Sequence, residues 1–213
     1  MAASRPAAGG GREVAVAPER LERWLAGFAE RHGEVVRDGA RYTAADGSVA
    51  QLEAPSAPLG DDPVAHALTE RRVGIVLVRL GGHAVGVAQG RRLVVHKVGS
   101  RQVHGRSAAG GWSQQRFARR REGQVRVAHQ AAAQTAVDVL LPHAAGLDAV
   151  VAGGERTSVD AVLADRRLAP LKDLLTGRLL DVPDPRLKVL ETAPDLLRRV
   201  WIRISDPSPD PEP

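Results

Sequence analysis

Residues 73–98 read as three apolar runs cut by glycines, and this pattern limits the possible folds more tightly than any other in the chain. Residues 73–80, with Val73, Ile75, Val76 and Val78, have the β-branched density of a strand buried on both faces. Residues 84–89 and 91–98 follow after Gly81-Gly82 and Gly90, which predicts a three-stranded meander. A glycine-rich stretch, 99–111, leads into residues 113–141. There Val125, Ala128, Ala132, Ala136 and Val139 stay on one stripe until Pro142, the pattern of one long helix. Gly123 lies inside it at a cost of about 1 kcal/mol relative to alanine, and a kink would fall there. A strand at 147–152, a helix at Arg156–Leu163 and strands at 178–182 and 200–204 complete the series. Residues 187–199 are expected to be partly helical and interrupted at Pro194.

Strands, a long helix and then alternating strand and helix predict an α/β domain with an α+β mixed sheet. The order resembles the ribonuclease H-like arrangement, an analogy of fold and not of activity. A smaller unit is expected before it, over residues 14–58. Its helix at 18–31 aligns Leu21, Trp24, Leu25 and Phe28 and stops at Gly33. Short strands at 34–37, 41–43 and 48–53 turn at Asp38-Gly39 and Asp46-Gly47. Residues 54–62 read as a linker, 63–206 as the main domain, and 1–13 and 207–213 as flexible tails. With only 3% aromatic residues, Val, Leu and Ala must build most of the core.

The chain has no cysteine, which excludes disulfides and thiolate chemistry. The longest apolar stretch, 73–87, is broken by Arg79, two glycines and His83 and is too polar to cross a bilayer. The first eleven residues lack the apolar run of a signal peptide. A cytoplasmic, monomeric protein without a membrane partner is expected. The seven histidines form no metal-binding motif. The strands of the meander carry no carboxylate, and Arg79 stands in the first of them, which argues against a metal-dependent nuclease. No metal or other cofactor is expected.

The net charge of +5 is unevenly spread. Between Arg91 and Arg126 there are ten basic residues and one acid, Glu122, while the rest of the chain is net acidic. Arg116, Arg119 and Arg120 are spaced to share a helical face beside a helix N-terminus, where free amides already favour anions. Planar guanidinium forks suit phosphate, so Arg101, Arg106, Arg116, Arg119, Arg120 and Arg121 are candidate RNA contacts. Trp112 is a candidate stacking platform for a base. The sharper feature is Gly110-Gly111-Trp112-Ser113-Gln114-Gln115. Paired glycines allow close backbone approach to a substrate. A glutamine does not titrate near neutrality, but it orients water or donates to a developing oxyanion once other groups hold the reactants.

The string from Gly110 through Gln115 to Arg116-Phe117-Ala118-Arg119 resembles the catalytic segment of the eukaryotic and archaeal class-1 translation release factors. That segment is Gly-Gly-Gln-Ser, two residues, then Arg-Phe-Ala-Arg. Gly110, Gly111, Ser113, Arg116, Phe117, Ala118 and Arg119 match without a gap, whereas Trp112 stands in place of the glutamine. The chain is more similar to the release-factor-like peptidyl-tRNA hydrolases of ribosome quality control, in their actinobacterial branch, over roughly residues 73–204. In that group the glutamine lies slightly downstream of the glycines, which implies Gln114 or Gln115 here. The resemblance implies hydrolysis of the ester between nascent peptide and tRNA on a stalled large ribosomal subunit, without a metal. Its implied partners are the large subunit, peptidyl-tRNA and ribosomal RNA. A noncatalytic RNA- or ribosome-binding module would use the same basic stripe, and dependence on glutamine separates the two readings.

Overall fold

The computed structural model describes residues 4–6, 11–56, 59–100 and 112–206. In chain order the first elements are β1 (Ser4–Pro6), β2 (Arg12–Val16), α1 (Leu21–His32), β3 (Val35–Asp38), β4 (Arg41–Ala44), β5 (Val49–Glu53) and α2 (Pro63–Leu68). There follow β6 (Arg72–Arg79), β7 (Gly82–Gln89), β8 (Arg92–Ser100), α3 (Trp112–Leu140), β9 (Ala149–Gly154) and α4 (Arg156–Leu163). The last are α5 (Leu187–Arg198) and β10 (Val200–Ser205). Short 3-10 segments cover Pro18–Arg20, Leu141–Gly146 and Arg166–Leu174. This is the mixed α/β class that the sequence predicts. The chain divides into two compact units, one of residues up to 70 and from 195 onward, the other Arg71–Pro194.

The first unit holds an antiparallel sheet in the order β1-β2-β10-β5-β4-β3. Leu21 and Phe28 of α1 are buried with Ala50 and Leu52 of β5 and with Val200 and Ile202 of β10. Asp62 caps α2 by accepting from the amides of Val64 and Ala65, both at 3.0 Å. Two expectations are corrected here. Residues 4–6 and 12–13 belong to strands and not to a tail; Val14 and Val16 of β2 bury into the cluster of Leu21 and Phe28 while its backbone pairs with β10. Residues 200–204 do form a strand, but it lies between β2 and β5, not in the sheet of the meander.

The second unit holds a four-stranded sheet in the order β8-β7-β6-β9. β6, β7 and β8 form the antiparallel meander. β9 returns parallel to β6, with α3 lying between them in the chain. Val76, Val78, Val85 and Val87 on one face of the sheet pack with Ala132, Ala133, Ala136, Val139 and Leu140 of α3. Residues 178–182 make no strand among the described residues. Leu175 and Leu180 instead form isolated parallel bridges to Val150 and Gly153 of β9. Pro194 lies within α5 without ending it, and α3 runs through Gly123 as one helix.

Candidate catalytic segment and nucleic-acid interface

The segment that carries the glycine pair joins the edge strand β8 to α3. Gly110 and Gly111, with Arg101 and Arg106, lie outside the described residues. Trp112, Gln114, Gln115 and Arg116 fall in the opening turns of α3, of which only the backbone course is described. Both glutamines therefore stand at a helix start with no acidic residue in its first turn. The unpaired amides and the positive end of the dipole lie there.

α3 has 29 residues, and its two halves have different surroundings. From 119 to 127 no side chain is buried, and Arg119, Arg120 and Arg126 are exposed while Arg121 is half-buried. Ala128 is the first buried residue among those described, and Ala132, Ala133, Ala136, Val139 and Leu140 follow. At 1.5 Å per residue, about 24 Å of helix separates Trp112 from Ala128. The basic half thus carries the opening turns well away from the packed half. Small alanines let the packed half lie close on the sheet.

Two side-chain links fasten β7 and β8 to that packed half. His83 of β7 is buried, and its Nε2 lies 3.0 Å from Thr135 Oγ1. Thr135 gives its hydroxyl proton to the carbonyl of Ala131 at 3.0 Å, so the imidazole is the donor. His83 pairs in register with Gly99, the second-last residue of β8. A Cβ at Gly99 would sit 2.5 Å from the ring atoms Cε1 and Nε2 of His83. Glycine is what allows the ring to lie beneath the strand. Lys97 Nζ reaches Asp138 Oδ2 at 3.0 Å, and Gln134 donates to the other carboxylate oxygen at 2.6 Å. Hydrogen bonds from Lys97 first and Gln134 second hold the Asp138 carboxyl below its ordinary range.

Sequence reasoning passed over this support. His83 counted only as an interruption of an apolar run, although a histidine inside such a run is itself a signal that a polar partner is buried beside it. His96 is exposed, and His104 lies outside the described residues. Among the described residues no group of three His, Cys, Asp or Glu is placed to hold a metal ion, and no helix is long and apolar enough to cross a membrane.

Residues 71–203 match the family model described as Actinobacteria/chloroflexi VLRF1 release factor. No curated protein matches the chain. Among solved structures, the archaeal translation termination factor aRF1 is similar at 22% identity and a TM-score of 0.47, over 60% of this chain and 37% of that one. A second structure, described only as an archaeal protein, is similar at 23% identity and a TM-score of 0.39, over 57% of this chain and 32% of its own. The chain thus spans about a third of the length of these two structures, and its family assignment rests on the sequence match.

Proposed function

Because this chain belongs to the Actinobacteria/chloroflexi VLRF1 release factor family, we propose that it hydrolyses the ester joining a nascent peptide to tRNA on stalled large ribosomal subunits. The observation that carries the reading is the order Gly110-Gly111, then Gln114-Gln115, then Arg116, Arg119 and Arg120, at the start of a helix in which no residue from 119 to 127 is buried. In the reaction, water oxygen bonds to the ester carbonyl carbon. The bond from that carbon to the ribose oxygen breaks, and the departing oxygen takes up a proton. Gln114 or Gln115 accepts a hydrogen bond from the water through its carboxamide oxygen, or donates through its nitrogen to the oxyanion as it forms. Gly110 and Gly111 let the backbone approach the ester. Neither glutamine takes the proton, so the rate depends on how well RNA contacts hold the reactants in line.

Arg101, Arg106, Arg116, Arg119, Arg120 and Arg121 supply those contacts through phosphate, with Trp112 as a stacking surface. The partners in this reading are the large subunit, its ribosomal RNA and peptidyl-tRNA. The protein acts in the cytoplasm as a monomer and without a cofactor. The test is peptide release from purified large subunits carrying a nascent chain. Gln114→Ala or Gln115→Ala is expected to slow release about a hundredfold, the usual cost of one lost oxyanion donor, with binding largely kept. Normal release by both single variants and the double variant overturns catalysis and leaves a noncatalytic ribosome-binding module.

A further inference from the structure

A groove of about 630 Å³ lies along the basic half of α3 where it meets the end of α4. Arg121, Val125, Arg126, His129 and Gln130 line one side, and Ala161, Ala164 and Asp165 the other. Its α3 residues stand 7 to 19 positions past Gln114, so along the helix the groove runs from about 10 Å to about 28 Å away from that glutamine. It is therefore separate from the place where the ester would be cut.

Three features mark this groove as built to hold something. Arg121 Nε is buried and has no hydrogen-bond partner among the described residues. A donor in that state suits an acceptor that enters the groove. His129 is held from inside the protein. Ser158, itself buried, donates its hydroxyl proton to Glu155 Oε2 at 2.7 Å, so its oxygen accepts from His129 Nε2 at 3.1 Å. That bond holds the imidazole ring in a fixed orientation. Third, the walls contributed by Val125, Ala133, Ala161 and Ala164 are small and apolar, with the Gln130 carboxamide beside them.

We propose that this groove receives one unstacked nucleotide of ribosomal RNA, its base between the alanine walls and its phosphate on Arg121 and Arg126. The inference rests on the reading of the chain as an RNA-facing release factor. Apolar faces with a few fixed polar groups suit a base, which presents two flat faces and a hydrogen-bonding edge. An amphipathic helix would instead need large apolar anchors repeated along the groove, and Val125 is the largest apolar residue lining it. The charge agrees with a phosphate. Asp165 is already neutralised by Arg167 at 2.8 and 2.9 Å. Glu122 also lines the groove, and with Asp165 held by Arg167 its carboxylate faces the two guanidinium groups of Arg121 and Arg126. Ribosomal RNA is the source because the groove lies behind the glutamines, toward the packed half of α3, whereas the tRNA end must lie at the glutamines themselves.

Two measurements on the full chain test this. The first is binding of a labelled five-nucleotide single-stranded RNA, compared with an abasic ribose-phosphate oligomer of the same length and charge. Ala161 and Ala164 are exposed, so Ala161→Trp and Ala164→Trp fill the groove without entering the core. Each is expected to weaken the intact oligomer about tenfold, the worth of one stacked base, and to leave the abasic oligomer unchanged. Wild-type affinity in both variants, or equal losses for both oligomers, overturns the proposal. The second places a photoreactive benzophenone side chain at position 164 of the protein bound to large subunits. Crosslinking to ribosomal RNA is expected, and crosslinking to tRNA alone or to ribosomal proteins alone overturns it. Neither measurement depends on peptide release, so failure of the glutamine variants to lose activity leaves the groove result intact, and the reverse also holds.

Discussion

His83 Nε2 donates to Thr135 Oγ1 across 3.0 Å in the core of the second unit, directly beneath Gly99. The bond joins the meander to α3 close to where β8 ends and the glycine-rich segment begins. The end of β8 is thus held by a buried polar pair as well as by apolar packing.

Thr135→Val is expected to destabilise the protein by about 1–3 kcal/mol, because it keeps the shape of the side chain and leaves the imidazole N–H without its acceptor. Gly99→Ala is expected to cost a similar about 1–3 kcal/mol, since a methyl group 2.5 Å from the His83 ring forces the strand or the ring to move. Denaturant unfolding measures both. If the two variants unfold at the wild-type midpoint, His83 does not hold β8 in the way described.

The class of fold and the start of the long helix α3 were legible in the sequence because they depend on local pattern. The helix at Arg156–Leu163 and the meander need only their own periodicity and their glycines to be recognised. The alternation of Val200, Ile202 and Ile204 likewise marked a strand. It could not name the partners, because β2 and β5 lie nearly the whole chain away and any half-buried strand shows the same alternation. The apolar run near 178–182 was misleading for a related reason. Leu180 and Val182 are buried as a strand residue would be, but only single bridges reach β9. At the candidate site the arginines and glutamines were legible as chemistry. The His83–Thr135 pair and the groove beside α4 were not, since each joins residues far apart in the chain.

The Lys97–Asp138 pair should be visible in a pH titration. The Asp138 carboxyl is held below the ordinary carboxylate range mainly by its hydrogen bond from Lys97. A lowered folded-state pKa contributes stability that is present above the unfolded value, about 4, and is lost as pH falls through the folded value. Carbon-detected NMR should find Asp138 titrating below most other carboxylates, and Lys97→Ala should raise its midpoint. An unchanged midpoint in that variant would show that the pair does not persist in solution. Asp165, lowered to about 2 chiefly by the Arg167 side chain, should be among the last carboxylates to protonate and provides an internal reference.

The exposed arginines make a prediction in salt. Replacing Arg119 or Arg120 by glutamine should leave thermal stability unchanged, because neither side chain is buried. If each contacts a phosphate, affinity for large subunits falls, and the slope of log affinity against log salt flattens by about one per residue removed. A variant that loses affinity with its slope intact has lost a contact other than phosphate.

Gly123 separates two roles for the basic half of α3. It lies inside the helix, and a Cβ built there meets nothing within 4 Å. Gly123→Ala therefore introduces no clash and removes backbone freedom from the unfolded chain, and it should raise stability by about 0.5–1 kcal/mol. Its effect on peptide release is the informative part. A rigid support that only presents the glutamines predicts release at the wild-type rate or faster, because stiffening the helix preserves the geometry. A helix that must bend at Gly123 to reach the ester predicts slower release from a more stable protein. Measuring unfolding and single-turnover release on the same sample decides between them. A loss of stability in this variant would contradict the open surroundings of Gly123 and remove the basis for either reading.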